Sequence, residues 1–383
     1  MPDSEAQVRE ALDRVVDPDL LGGLESLGML RSVSVRSKRI VVTLAVPVEG
    51  WPGTEQISSA IPVVLREAGF GRDVRVEVAE MTDSERAALL GRLGRPPAPA
   101  SGGVQAADRA GPGSPARTNP FASGSLRTRV IGISSGKGGV GKSTVTVNLA
   151  VALAARGHLV GLLDADVYGF SVPKMMGIDR IPVAIENVLV PPVVHGVRCV
   201  SMGFFVPDDQ PVIWRGPMLH KALEQFVVDA YWGELDFLLV DMPPGTGDVA
   251  LSLSQYLPRS EILVVTTPQP AAQRVAQRSA YAARRLKLPV RGVVENLSWF
   301  TGDDSRRYEL FGSGGGAQLA AELEVPLLAQ LPLVPAVREG GDMGIPAAIS
   351  DPGSEAAAAY ADLAGRIVSL GPARVYRNEL KIR

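Results

Sequence analysis

Apolar and polar positions change rhythm twice along the chain. Over residues 1–94 the periods are mixed and the segments short. Residues 8–16 have the spacing of a short amphipathic helix, while 30–35 and 39–46 are β-rich runs with a turn between them, which predicts a hairpin. Residues 57–68 read as a helix in spite of Pro62, 73–78 alternate as a strand, and 83–93 read as a helix. Together they predict a small α+β domain. Residues 95–127 lose the periodicity: Pro, Gly, Ala and Ser dominate, nothing there can bury a core, and a flexible linker is expected. From Arg129 short apolar runs alternate with helical stretches. The runs are 129–134, 159–163, 236–240, 261–266, 290–294 and 326–330, and helices are expected at 142–156 and 217–231. Strands buried on both faces read as such runs, so residues 128–373 predict an α/β domain whose mostly parallel sheet is covered by helices on both faces. Residues 374–383 form a basic tail, too short and too weakly amphipathic to suggest more than a solvated end.

Composition narrows the chemistry. A length of 383 residues suits two domains and a connection. The net charge of −2 gives no general pull toward nucleic acid, so no nucleic-acid partner is expected. Cys199 is the one cysteine, which excludes an intramolecular disulfide scaffold and cannot supply the thiolate set of a metal centre within one chain. Its apolar neighbours Val197, Val200 and Met202 suggest a buried structural thiol. The histidines, His158, His195 and His220, show no ligand-like spacing. The N-terminal segment is acidic and polar, unlike a signal peptide, and no apolar run approaches the roughly 20 residues of a spanning helix. A cytoplasmic location with no membrane partner is expected.

One motif carries specific chemistry. Gly136-Lys137-Gly138-Gly139-Val140-Gly141-Lys142-Ser143-Thr144 fits G-x-x-x-x-G-K-[ST] between an expected strand and an expected helix, the setting a P-loop requires. Glycines let the backbone curl round phosphate oxygens, and the helix N-terminus favours an anion. Lys142 supplies a point charge for the β- and γ-phosphates, and the Ser143 hydroxyl can ligate Mg²⁺. ATP and Mg²⁺ are therefore the expected ligands. A P-loop needs only Lys142, yet Lys137 adds a second cation in a chain of seven lysines.

Carboxylates follow at the ends of expected strands, where ligands of open α/β sheets sit. Asp241, in Asp-Met-Pro-Pro-Gly-Thr-Gly-Asp, fits a Walker B role on Mg²⁺, and the turn after it suits a switch sensing the γ-phosphate. Asp166 is the candidate to orient or deprotonate the attacking water, and Asp164 to support Mg²⁺ or its water shell. Asn296 ends another strand; its amide could pair with an adenine edge or simply form a turn.

The extra Lys137 resembles the signature of the deviant Walker A ATPases, in which that lysine reaches the partner's phosphates across a nucleotide sandwich dimer. More specifically, KGGVGKST, LLDADVYGFSVPKMMG, VIWRGPML, LDFLLVDMPPGTGDVALSL, VVTTPQ, VENLSWF and FGSGGG resemble the Mrp/ApbC family of iron–sulfur carrier ATPases. VVDPDLLGGLESLGMLRSVSV resembles a domain found beside them and in iron–sulfur assembly factors. The resemblance implies a homodimer that binds ATP, hydrolyses it slowly and carries a [4Fe–4S] cluster between scaffold and apo-proteins, with Asn296 as an adenine contact. It also leads one to expect a C-x-x-C after the Asn296 segment and a cysteine near Pro52. The chain reads ENLSWFTGDDSRRYELFGSGGG and VEGWPGT there, with Trp51 in the second, so no iron–sulfur ligand can be identified. Alternatives remain: an ATPase switch for protein maturation or positioning that binds no cluster, or a ParA/MinD-like ATPase.

Overall fold

The structure, a computed structural model, describes residues 4–95, 119–121, 127–167, 169–205, 216–245 and 248–372. It divides into two compact units. Among the described residues no helix is long and apolar enough to cross a membrane.

In the first unit, strands Leu30–Val35 and Arg39–Val46 form the expected antiparallel hairpin, and Asp73–Glu80 adds to it in parallel. Helices Glu5–Leu12 and Thr54–Glu67 supply the apolar side chains of its core, Val8, Leu12, Ile57, Ile61 and Leu65. Both begin about a turn before the apolar spacing suggests. For Glu5–Leu12 the reason is local. The Ser4 side chain accepts from the Gln7 N–H while Gln7 reaches back to the Ser4 N–H, a capping box that fixes the start. Thr82 and Glu85 do the same for helix Asp83–Arg92. A short hairpin, Val183–Ile185 with Val188–Val190, groups with this unit although it comes from the middle of the α/β sequence.

The second unit is built on an eight-stranded sheet. Its order is Leu327–Gln330, Val290–Glu295, Glu261–Thr266, Arg129–Ser135, Phe237–Asp241, Val160–Asp164, Val197–Ser201 and Val193–Val194. Every pairing is parallel except the last. The central strands are buried along their length, apart from the half-buried Arg129 at the start of its strand, as a sheet covered on both faces requires. Strand Val197–Ser201 was not expected from the pattern, because Arg198 interrupts its apolar run; Arg198 is itself buried, with its guanidinium over the Tyr231 ring.

Helix Lys142–Ala155 is buried on nearly every side, so its sequence lacks an amphipathic stripe. It packs under the C-terminal helix Glu355–Leu370. Its buried Asn148 is satisfied at both ends, by the Thr144 carbonyl at 2.9 Å and the Ala347 N–H at 2.8 Å. At the opposite, N-terminal edge of the sheet, Arg129 donates to the buried Glu261 carboxylate at 2.7 Å and to the Ile367 carbonyl at 2.6 Å, tying that helix down.

Most of the expected linker, 95–127, and all of the basic tail, 374–383, lie outside the described residues. Within the linker, however, residues 119–121 are packed. Asn119 Nδ2 donates to the Tyr256 carbonyl at 2.6 Å, and Asn119 Oδ1 accepts from the Phe121 N–H at 2.8 Å. Phe121 is buried and meets Trp232 edge to face, with centroids 6.4 Å apart. Averaged composition hides a single aromatic that has a place to go.

Candidate functional site

The loop between strand Arg129–Ser135 and helix Lys142–Ala155 lies at the carboxyl edge of the sheet, where the strand ends stop and helix N-termini point inward. Two of its glycines are required by geometry. A Cβ on Gly136 would come within 2.2 Å of the backbone of Val275 and Ala276, so the loop could not lie against helix Pro270–Arg285. Gly141 has φ +77° and caps the helix, a left-handed conformation that favours glycine. Above the loop opens a cavity of about 630 Å³ lined by Lys137, Lys142, Ser143, Thr144, Asp166 and Leu219, among others.

At its floor the charges are tightly coupled. The buried ammonium of Lys142 lies 2.8 Å from Asp241 Oδ2 and 3.4 Å from Asp166 Oδ2. Ser143 Oγ donates to the same Asp241 oxygen at 2.6 Å. Thr146 Oγ1 stands 2.8 Å from Asp241 Oδ1 and 2.9 Å from the Lys142 carbonyl, so its one proton is shared between them. Asp241 is thus fully engaged on the loop and helix it must work with. A hydroxyl and a carboxylate side by side form an all-oxygen, hard donor pair, which fits Mg²⁺ held by few protein ligands together with phosphates and water.

Asp164 lies behind the cavity wall. Strand register sets it directly beside Asp241, but it is wholly buried and does not line the cavity. It accepts from Ser201 Oγ at 2.9 Å and from the Asp166 N–H at 3.2 Å. Burial, and next the neighbouring Asp241 charge, push its carboxyl well above the usual range. The two hydrogen bonds and the Lys142 charge offset only part of this. Asp164 therefore touches the site through the Asp166 backbone, the position from which it would support Mg²⁺ or its water shell.

Asn296 is buried beneath the loop, off the cavity wall, and its Nδ2 donates to the Val140 carbonyl at 2.9 Å. In this arrangement its amide braces the phosphate loop from below. Lys137, by contrast, is exposed on the cavity rim and makes no ion pair among the described residues. Ser135 Oγ donates to its carbonyl at 3.0 Å, which fixes the backbone and leaves the side chain outward.

Beyond Asp241, the turn is latched at Gly245: its N–H donates to the Ser135 carbonyl at 2.9 Å, and Ser279 Oγ donates to its carbonyl at 3.2 Å. Thr146, Ser201 and Ser279 escaped the sequence reading. Thr146 could have been found, since it lies one helical turn beyond Lys142 on the same face. Ser201 and Ser279 come from distant elements and carry no local signal.

Residues 127–368 match the family described as NUBPL iron-transfer P-loop NTPase, and residues 5–78 match that of iron–sulfur cluster assembly proteins. An iron–sulfur cluster carrier protein of Mycobacterium leprae is 43% identical over 351 residues, which is 90% of this chain and 87% of that protein. The iron–sulfur cluster transfer protein NUBPL of Mus musculus is 46% identical over 243 residues, 62% of this chain and 76% of its own length. Among solved structures, a nucleotide-binding protein of Archaeoglobus fulgidus in complex with ADP superposes with a TM-score of 0.51 at 34% identity, over 57% of this chain and 87% of that one. The likeness extends through both units and nearly the whole length, and on that ground the chain belongs to the iron–sulfur cluster carrier family of P-loop NTPases.

Proposed function

We propose that the chain is a homodimeric nucleotide switch that binds ATP with Mg²⁺, hydrolyses it slowly, and thereby assists assembly or transfer of iron–sulfur clusters to apo-proteins. The observation that carries this reading is the Lys142–Asp241–Ser143 cluster at the cavity floor, with a second, exposed lysine, Lys137, on the rim. The loop from Gly136 to Thr144 cradles the phosphates with its N–H groups and the helix N-terminus. Lys142 exchanges its carboxylate partners for the β- and γ-phosphates when nucleotide enters, which frees an Asp241 oxygen. Ser143 and Asp241 would hold Mg²⁺, which neutralises charge on the phosphates. Asp166, on the cavity wall, orients the water and accepts its proton as the new oxygen–phosphorus bond forms and the bond to the leaving ADP oxygen breaks. Asp164 holds Asp166 in place from behind.

Lys137 acts in trans. It is too exposed to serve its own floor, and a second copy closed over the nucleotide brings it to the opposite γ-phosphate. The dimer then opens after hydrolysis, and the latch at Gly245 lets the turn after Asp241 respond to the loss of the γ-phosphate. The working organisation is a domain over 1–94, a linker over 95–127 anchored at Phe121, the ATPase domain over 128–373 and a tail over 374–383, in a cytoplasmic protein. Calorimetric titration with Mg-ATP tests the reading at its base. The wild-type chain should bind one nucleotide per protomer and Lys142→Ala should bind none; equal affinity in both would remove the loop from the account.

A further inference from the structure

Iron–sulfur clusters are held by about four thiolates, with imidazole an occasional substitute. The family assignment makes such a cluster the cargo, and the donor set of this chain does not fit it. Cys199, the one thiol, lies mid-strand in Val197–Ser201, beside Leu162 of the neighbouring strand and with no exposed surface. Burial, and next the Asp164 carboxyl, push the thiol well above its usual range, so it stays protonated rather than a thiolate ligand. The three histidines are dispersed and engaged elsewhere. His158 stands against Asp236 and Phe237, His195 Nε2 is 3.2 Å from the Gly344 carbonyl, and His220 Nδ1 is 3.0 Å from Ser252 Oγ. Among the described residues no three of His, Cys, Asp and Glu come together as a metal site, and the remaining residues contain neither Cys nor His.

The two segments in which the resemblance leads one to expect cysteines are closed by other contacts. In the antiparallel pair Phe300–Thr301 and Arg307–Tyr308, the Glu355 carboxylate gathers Trp299 Nε1 at 3.0 Å, Thr301 Oγ1 at 2.8 Å and Arg307 at 2.9 Å. Arg307 in turn lies 4.1 Å over the Trp299 ring, and Tyr308 donates to Asp304 at 2.8 Å. In the first unit, Trp51 Nε1 donates to the buried Asp17 carboxylate at 2.7 Å. Both segments hold their shape through ion pairs, hydrogen bonds and ring contacts, and neither needs a metal. Hard carboxylates such as Asp303 and Asp304 do not replace thiolates on iron–sulfide chemistry.

We infer that this chain does not ligate its cargo: no set of its own side chains fits an iron–sulfur cluster, which therefore stays on the cysteines of other proteins. This rests on the nucleotide-switch reading and narrows it to a cluster-handling ATPase without cluster ligands.

The test is anaerobic reconstitution of the full chain with ferrous iron and sulfide, with and without Mg-ATP, alongside Cys199→Ser. Iron per protomer and visible absorbance are read, and nucleotide binding is measured on the same samples. A second arm adds a scaffold protein loaded with [4Fe–4S] on its own cysteines, then separates the two proteins after ATP is exchanged for ADP. We expect iron at least tenfold below the roughly two per protomer of a dimer sharing one cluster, in both variants, with nucleotide binding intact. We also expect the scaffold to retain its iron through the exchange. Stoichiometric iron in the chain alone would overturn the inference, whether Cys199→Ser abolished it or not, and so would iron moving from scaffold to chain. Absent iron together with absent nucleotide binding would instead sink the switch reading and leave the ligand assignment standing.

Discussion

Lys142 and Asn296 show how one loop is held from two sides. The lysine reaches across the floor to Asp241, while the Asn296 amide carries the Val140 carbonyl from below. A brace and a base contact lead to different measurements. Asn296→Ala should weaken ATP, GTP and inorganic tripolyphosphate alike, by about tenfold each, the loss of one buried hydrogen bond of ~1.4 kcal/mol. A loss confined to adenine nucleotides would restore the base contact. The glycines and Lys142 were legible in the sequence because loop chemistry is local: spacing along one short segment dictates it. The fate of Asp164 was not, since its burial depends on the register that lays it beside Asp241 and against Ser201 of another strand. The direction of the Asn296 side chain depends on the packing of a strand end against the loop, which no local pattern records.

At the scale of elements, apolar rhythm located six of the eight strands of the large sheet but placed the start of Glu5–Leu12 a turn late, because a capping residue rather than an apolar one begins that helix. Composition likewise concealed the Phe121 anchor. Phe121→Ala should lower the stability of the second unit by about 2 kcal/mol, allowing for a site near the surface, read as a lowered urea midpoint. An unchanged midpoint would mean that residues 119–121 do not pack in solution. In the first unit, the hydrogen-bonded Arg31 guanidinium holds the Glu85 carboxyl down at about 2, with the Thr82 N–H assisting. A depressed carboxyl contributes stability that is present above its unfolded value near 4.5 and lost as pH falls toward 2. Because the pair is partly solvated, its contribution is about 1 kcal/mol. Glu85→Gln should therefore cost that much at pH 7 and nothing near pH 2; a constant difference across the range would assign the effect to the helix cap instead.

At the scale of the whole molecule, the family match joins an assembly-type unit to a nucleotide-binding unit, and the proposed switch needs two copies of the second. The fold class followed from alternation of strand and helix, and nucleotide binding from a nine-residue loop. The trans role of Lys137 is the central claim, and it rests on an exposed cation at the rim of a site already served by another. Phosphate release from saturating Mg-ATP, compared between the wild-type chain and Lys137→Ala at matched nucleotide occupancy, addresses it most directly. The wild type should turn ATP over slowly and Lys137→Ala should lose that turnover, with nucleotide binding largely kept. Equal turnover in the two proteins would contradict it, because Lys137 would then contribute nothing to the transition state from either protomer.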